Sequence, residues 1–173
     1  MIALAPRTFR ACLHVALAIR ARDRIEIAAT RGWFDAEALA DSFLHADDGA
    51  VCEIAGRPVA MAAMQRTAMA RVATIGLVAT DALSPRASLF LADAARTLLP
   101  ALMRERGLNR LEARSLADYA AAHRWMERMG ATRECALPGM GANGETFVQY
   151  AWVSPDVRFE PVRPEPAETA RPV

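Results

Sequence analysis

Histidine, cysteine and arginine are the side chains here with the widest chemical reach, and their spacing narrows what they can do. His14, His45 and His123 lie far apart in the chain, with no H-x-x-x-H pair, so no metal centre is expected. No Ser-His-Asp arrangement can be argued from their positions either. Cys12, Cys52 and Cys135 are odd in number, form no C-x-x-C pair and each sits in an apolar run, which reads as buried free thiols in a reducing compartment. All 21 basic residues are arginine. Guanidinium groups suit bidentate contacts with anions, but a GC-rich coding bias toward Arg and Ala explains the composition as well.

These residues must be positioned by a single domain, since 173 residues is ordinary for one core. A net charge of +1 supplies no overall field to draw in nucleic acid or an anionic membrane. The apolar run Ala11–Ile19 is interrupted by His14 and is far short of the ~20 residues that a membrane span needs. The N-terminus lacks the charged, apolar and cleavage regions of a secretory signal, so a cytoplasmic location is expected.

Hydrophobic periodicity sets the expected elements. Met1–Thr8 reads as a short strand and Phe9–Ala21 as a helix, and a second helix starts near Asp35, whose carboxylate can cap it. Ala50–Ala55 and Pro58–Gln65 form a hairpin around the Gly56-Arg57 pair, and Arg71–Thr80 is an apolar central strand in which Gly76 suggests a bulge or a close approach. Ser84-Pro85 opens a long helix with an apolar stripe of Leu89, Ala92, Ala95, Leu99, Leu102 and Met103, ending at Gly107. Leu108–Ser115 is a strand. Asp118–Met129 is a helix with Ala122, Trp125, Met126 and Met129 on one face, and Ala131–Leu137 and Thr146–Val153 close the domain. Residues 154–173 carry five prolines among mixed charges and read as an extended tail.

The order β-α-α-β-β-β-α-β-α-β-β, the hairpin Cys52–Ala63, the strand ending Leu77-Val-Ala-Thr80 and the helix ending Arg128-Met-Gly-Ala131 together resemble the GNAT (GCN5-related N-acetyltransferase) superfamily over residues 1–153. The resemblance implies an α+β fold with a mostly antiparallel sheet of six to seven strands and about four helices. In an active member it implies acetyl-CoA held by Leu77, Val78 and Ala79 on the central strand and by Arg86 and Ala87 at the start of the long helix.

The family's three means of catalysis are altered in this chain. The loop that normally cradles pyrophosphate is Thr80-Asp-Ala-Leu-Ser-Pro-Arg-Ala-Ser88; it has no glycine, Pro85 has no N–H to donate, and Asp81 repels phosphate. Counting back from Gly130 puts Met126 where many members have a tyrosine acid, and Tyr119 and Tyr150 read as packing residues. Glu53 and Glu134 are candidate bases only by exclusion, and half-exposed strand carboxylates are the plainer reading. Leu77-Val-Ala-Thr80-Asp81, His123–Ala131 and Gly144-Glu-Thr-Phe147 are similar to the internal virion proteins of short-tailed phages that share the GNAT fold. That resemblance implies a virion or assembly role with no resident cofactor, and contacts with other proteins in which residues 154–173 take part. The alternative is an acetyl-CoA-dependent N-acetyltransferase. A binding module for another acyl or peptide ligand is a third reading.

Overall fold

The computed structural model describes residues 1–156. Apart from Ser154–Asp156, the expected proline-rich tail lies outside the described residues. The elements run β1 (Ile2–Ala5), α1 (Phe9–Leu17), α2 (Ala21–Arg31), α3 (Ala36–Leu44), β2 (Asp48–Ile54), β3 (Arg57–Arg66), β4 (Val72–Ala79), α4 (Pro85–Glu105), β5 (Arg110–Leu116), α5 (Ala120–Arg128), β6 (Thr132–Leu137) and β7 (Phe147–Val153).

Local chemistry sets the helix starts. Thr8 accepts from the Ala11 N–H at α1, Asp35 from Ala38 at α3, and Ser84 from Ala87 at α4, where Pro85 takes the first turn. The seven strands form one sheet in the order β1-β2-β3-β4-β5-β7-β6. Every pairing is antiparallel except β4 with β5. A parallel pair needs a crossover, and α4 supplies it. That pair is short: it runs only from Val72↔Arg110 to Thr74↔Glu112, so the second halves of β4 and β5 have lost each other as partners.

Helices cover both faces. Cys12, Val15 and Ala16 of α1 and Leu39, Ala40 and Phe43 of α3 pack on Val51, Met61 and Val78. On the other face α4 and α5 bring Ala92, Leu99, Met103, Met126 and Met129 onto Met64, Ala73, Leu111, Val148, Tyr150 and Trp152. Side-chain alternation along the strands divides the two sets, as with Val78 and Ala79.

Several expectations shift. One helix was expected over Phe9–Ala21, but α1 stops at Ala18 because Ile19 pairs with Thr80, and a third helix, α2, begins after it. The hairpin turn is Ala55-Gly56, one residue earlier than expected: both have positive φ (51° and 77°), and Arg57 already pairs with Ile54. Gly76 marks no bulge. The β3–β4 register runs through it unbroken, and the irregularities lie in β2 at Cys52/Glu53 and in β6 at Arg133/Cys135. Cys12 and Cys52 are buried as expected and burial raises both thiols, but Cys135 is exposed on edge strand β6. Leu89 faces outward, and His123, not expected inside, is buried with its Nε2 3.0 Å from the Leu116 carbonyl.

Burial ranks two substitutions. Leu111 is fully buried, so Leu111→Ala should cost about 2–5 kcal/mol. Trp125 only flanks the core and spends its indole N–H on the Ser88 carbonyl, so Trp125→Ala should cost about 1–3 kcal/mol, less than a fully buried tryptophan. Urea unfolding of both variants checks the order; a larger loss at Trp125 would mean that the α4–α5 seam is misread.

Candidate functional site

The place where β4 and β5 part is where a ligand could reach the sheet's backbone. By the alternation of an antiparallel ladder, Thr80 bonds toward β3, through its N–H to the Val59 carbonyl, while Ala79 points its N–H and C=O into the gap. Neither group is open. The Ala79 N–H donates to Asp23 Oδ2 at 2.9 Å, and the Ala79 carbonyl accepts the Arg20 N–H at 2.9 Å. On the opposite side of the gap, Glu26 Oε2 accepts the Leu116 N–H at 2.9 Å and the Ser115 hydroxyl at 2.5 Å. Asp23 and Glu26 are one turn apart on α2, on the same helical face. A single turn of α2 therefore joins the tips of the two parted strands through carboxylates.

Further contacts seat this turn. The Tyr119 hydroxyl donates to Asp23 Oδ1 at 2.8 Å, and Arg22 forms an ion pair with Asp118. At the far end of α2, the Ala142 N–H in the β6–β7 loop donates to the Ala29 carbonyl, and Ala29 packs with Leu116 and Phe147.

The β4–α4 loop is equally committed. The N–H groups of Ala82 and Leu83 go to Thr80, and those of Ala87 and Ser88 go to Ser84. Arg20 adds its guanidinium, with Nε on the Thr80 carbonyl and Nη2 on the Leu83 carbonyl, both at 3.2 Å. The loop thus turns carbonyl oxygens toward a cation of its own chain, the reverse of a nest of N–H groups that would hold a phosphate.

The residues singled out from sequence fall in different places. Leu77, Val78 and Ala79 lie on the half of β4 beside the gap, with Val78 in the α1–α3 core. Arg86 is exposed in the first turn of α4, and Ala87 is buried against Ala79 and Leu83. Met126, at the position of the family's acid, is core. Of the tyrosines, Tyr150 is fully buried with its hydroxyl 3.3 Å from Glu127, whereas Tyr119 does reach the gap. Burial and the Asp23 carboxylate push the Tyr119 hydroxyl up to about 12, so it keeps its proton rather than giving it away. Glu53 on β2 and Glu134 on β6 lie toward opposite edges of the sheet, and Arg110 holds the Glu134 carboxyl below the usual range. Among the described residues, no group of three or more His, Cys, Asp or Glu could hold a metal ion, and no helix is long and apolar enough to cross a membrane.

The residues that do organise the gap, Arg20, Asp23 and Glu26, were not expected. Their one signal is the pair of carboxylates three apart in Arg22-Asp-Arg-Ile-Glu26, which in a sequence looks like any solvated helix face.

With this geometry in view, solved structures identify the fold. An acetyltransferase of the GNAT family from Bacillus anthracis superposes with a TM-score of 0.68 at 18% identity, covering 88% of this chain and 94% of that one. The ribosomal-protein-S18-alanine N-acetyltransferase from Escherichia coli gives 0.64 at 16%, covering 92% and 100%. The ribosomal L7/L12 α-N-protein acetyltransferase in complex with coenzyme A gives 0.66 at 10%, covering 88% and 94%. No protein-family model matches the sequence, and no curated protein matches it. The chain therefore has the GNAT acetyltransferase fold, α+β with a seven-stranded, mostly antiparallel sheet and, among the described residues, five helices. The narrower resemblance to phage virion proteins finds no support in these structures.

Glu26 carries a pH signature. Burial raises its carboxyl and Asp23 adds to this, against the Ser115 and Leu116 hydrogen bonds and Arg22, which lower it. Tyr119 also lies close enough to feel its charge. An acid raised in the folded state binds its proton more tightly there, so its contribution is most favourable below about 4.3 and is lost as pH rises through the folded value. Glu26→Gln keeps an acceptor oxygen without the charge. Its stability relative to the parent should therefore improve from pH 4 to pH 7 in thermal melts. A difference that is flat with pH, or worsens toward pH 7, would contradict the assignment.

Proposed function

We propose that this chain is a GNAT-fold binding protein whose acetyl-CoA cleft is taken up by its own α2, and that it works through its surface rather than by acetyl transfer. The observation that carries this reading is Ala79: both of its cleft-facing backbone groups are engaged, by Asp23 and by Arg20. A ligand chain along β4 would have to displace α2 first. The internally bonded amides of Ala82, Leu83, Ala87 and Ser88 and the core position of Met126 support the same reading, since those four N–H groups are not free for a phosphate and Met126 has no proton for a departing thiolate. Its partners would be other proteins, with residues 154–173 as one contact.

A second reading, an acetyl-CoA-dependent N-acetyltransferase, is favoured by the fold comparison, because the solved structures described above are acetyltransferases. It requires α2 to leave the gap. Leu77, Val78, Ala79, Arg86 and Ala87 would then face the cofactor, and the proton would come from a group other than Met126. The virion setting is no part of either reading.

Titration calorimetry with acetyl-CoA on the full chain separates the two. The binding-protein reading expects no heat at neutral pH up to about millimolar ligand, at the weak limit of specific binding. Micromolar binding would overturn it and favour the enzyme.

A further inference from the structure

The way α2 is attached differs from that of its neighbours. α1 and α3 are fixed by fully buried Cys12, Val15, Ala16, Leu39 and Ala40. α2 buries only Asp23 and Ala29, and Ile25 is 52% exposed. Its apolar contacts are few, Ile27 against the α1–α3 core and Ala29 against Leu116 and Phe147, and most of what holds it is polar: Asp23 on Ala79 and Tyr119, Glu26 on Ser115 and Leu116, and Arg22 on Asp118. On opening, such contacts are replaced by hydrogen bonds to water, whereas an unseated apolar face finds no replacement there.

Ahead of α2, Arg20 fixes the chain through its N–H on the Ala79 carbonyl and its guanidinium on the Thr80 and Leu83 carbonyls; after it, Gly32 takes the left-handed conformation at φ 81°. A groove of about 340 Å³ runs alongside, with Arg22, Ile25 and Ala29 as one wall and Leu116, Ala117 and Thr146 as the other. Water therefore already reaches the seam that would have to open.

We propose that α2 is an autoinhibitory gate, a helix that unseats as a unit from the β4–β5 gap while the sheet and the other helices stay folded. The inference rests on the reading that α2 occupies the cleft. Opening frees the N–H groups of Ala79 and Leu116 and the Ser115 hydroxyl together. Two carboxylates satisfy those donors in the closed form, so the open form selects a ligand that presents oxygen acceptors to both strand tips.

Hydrogen exchange of the full chain, followed residue by residue, tests the gate. The slowest α2 amides should exchange at least about tenfold faster than those of α1 and α4 and with little denaturant dependence, the mark of a sub-global opening. Asp23→Ala should raise α2 exchange further and leave α4 unchanged. Tyr119→Phe, which removes one contact to Asp23 and no backbone partner, should give a smaller rise and serves if Asp23→Ala fails to fold. If α2 exchanges at the rate and denaturant slope of α4, or if the variants raise both helices equally, α2 opens only with global unfolding and there is no gate. That outcome would leave the occupied cleft intact, whereas micromolar acetyl-CoA binding with α2 amides still protected would remove the occupied cleft itself.

Discussion

Two carboxylates one helical turn apart, each accepting a backbone N–H from a different strand, close the gap where the parallel pair ends. A parallel pair that stops after three positions leaves strand edges that cannot stay unpaired away from water. Asp23 and Glu26 satisfy those edges, at Ala79 and at Leu116, without a further strand and without a ligand. The electrostatic terms favour this arrangement unevenly. Hydrogen bonds to a charged acceptor are worth about twice those between neutral groups, while the raised Glu26 carboxyl shows that desolvation outweighs its hydrogen bonds.

From that constraint the rest of the site follows. Once Asp23 must reach Ala79, the chain ahead of it passes beside the end of β4, which accounts for the Ile19–Thr80 bridge and for Arg20 lying over the Thr80 and Leu83 carbonyls. With a cation of the chain seated there, the loop into α4 faces inward with oxygens, and Ser84 takes the N–H groups of Ala87 and Ser88. The glycine-free loop and the occupied cleft are two consequences of one packing choice. The GNAT fold survives it because its stability lies in the two helix-covered faces, not in the gap between the strands.

Most of the fold was legible in the sequence because apolar periodicity reports burial. The stripe through Ala92, Leu99 and Met103, the cap at Ser84 and the stop at Gly107 all translate directly into α4. Periodicity is silent where a helix is held by something other than apolar surface. In Ala21–Arg31 nearly every position is charged, small or exposed, so α2 left no stripe, and the residues that define the site went with it. Negative signals were legible for the same reason that positive ones were: a missing glycine and a methionine in place of a tyrosine are facts of residue type. What replaced them was not, since a carboxylate on a backbone N–H far away in sequence depends on tertiary geometry alone.

The state of two backbone amides tests the central claim most directly. In nitrogen-15 spectra of the full chain, the Ala79 and Leu116 amide protons should exchange slowly and lie downfield, as donors to carboxylates do. Asp23→Ala should remove both features at Ala79, and Glu26→Ala should remove both at Leu116. Fast exchange of these two amides in the parent chain, at the rate of an open strand edge, would show that α2 does not close the gap and would contradict the account.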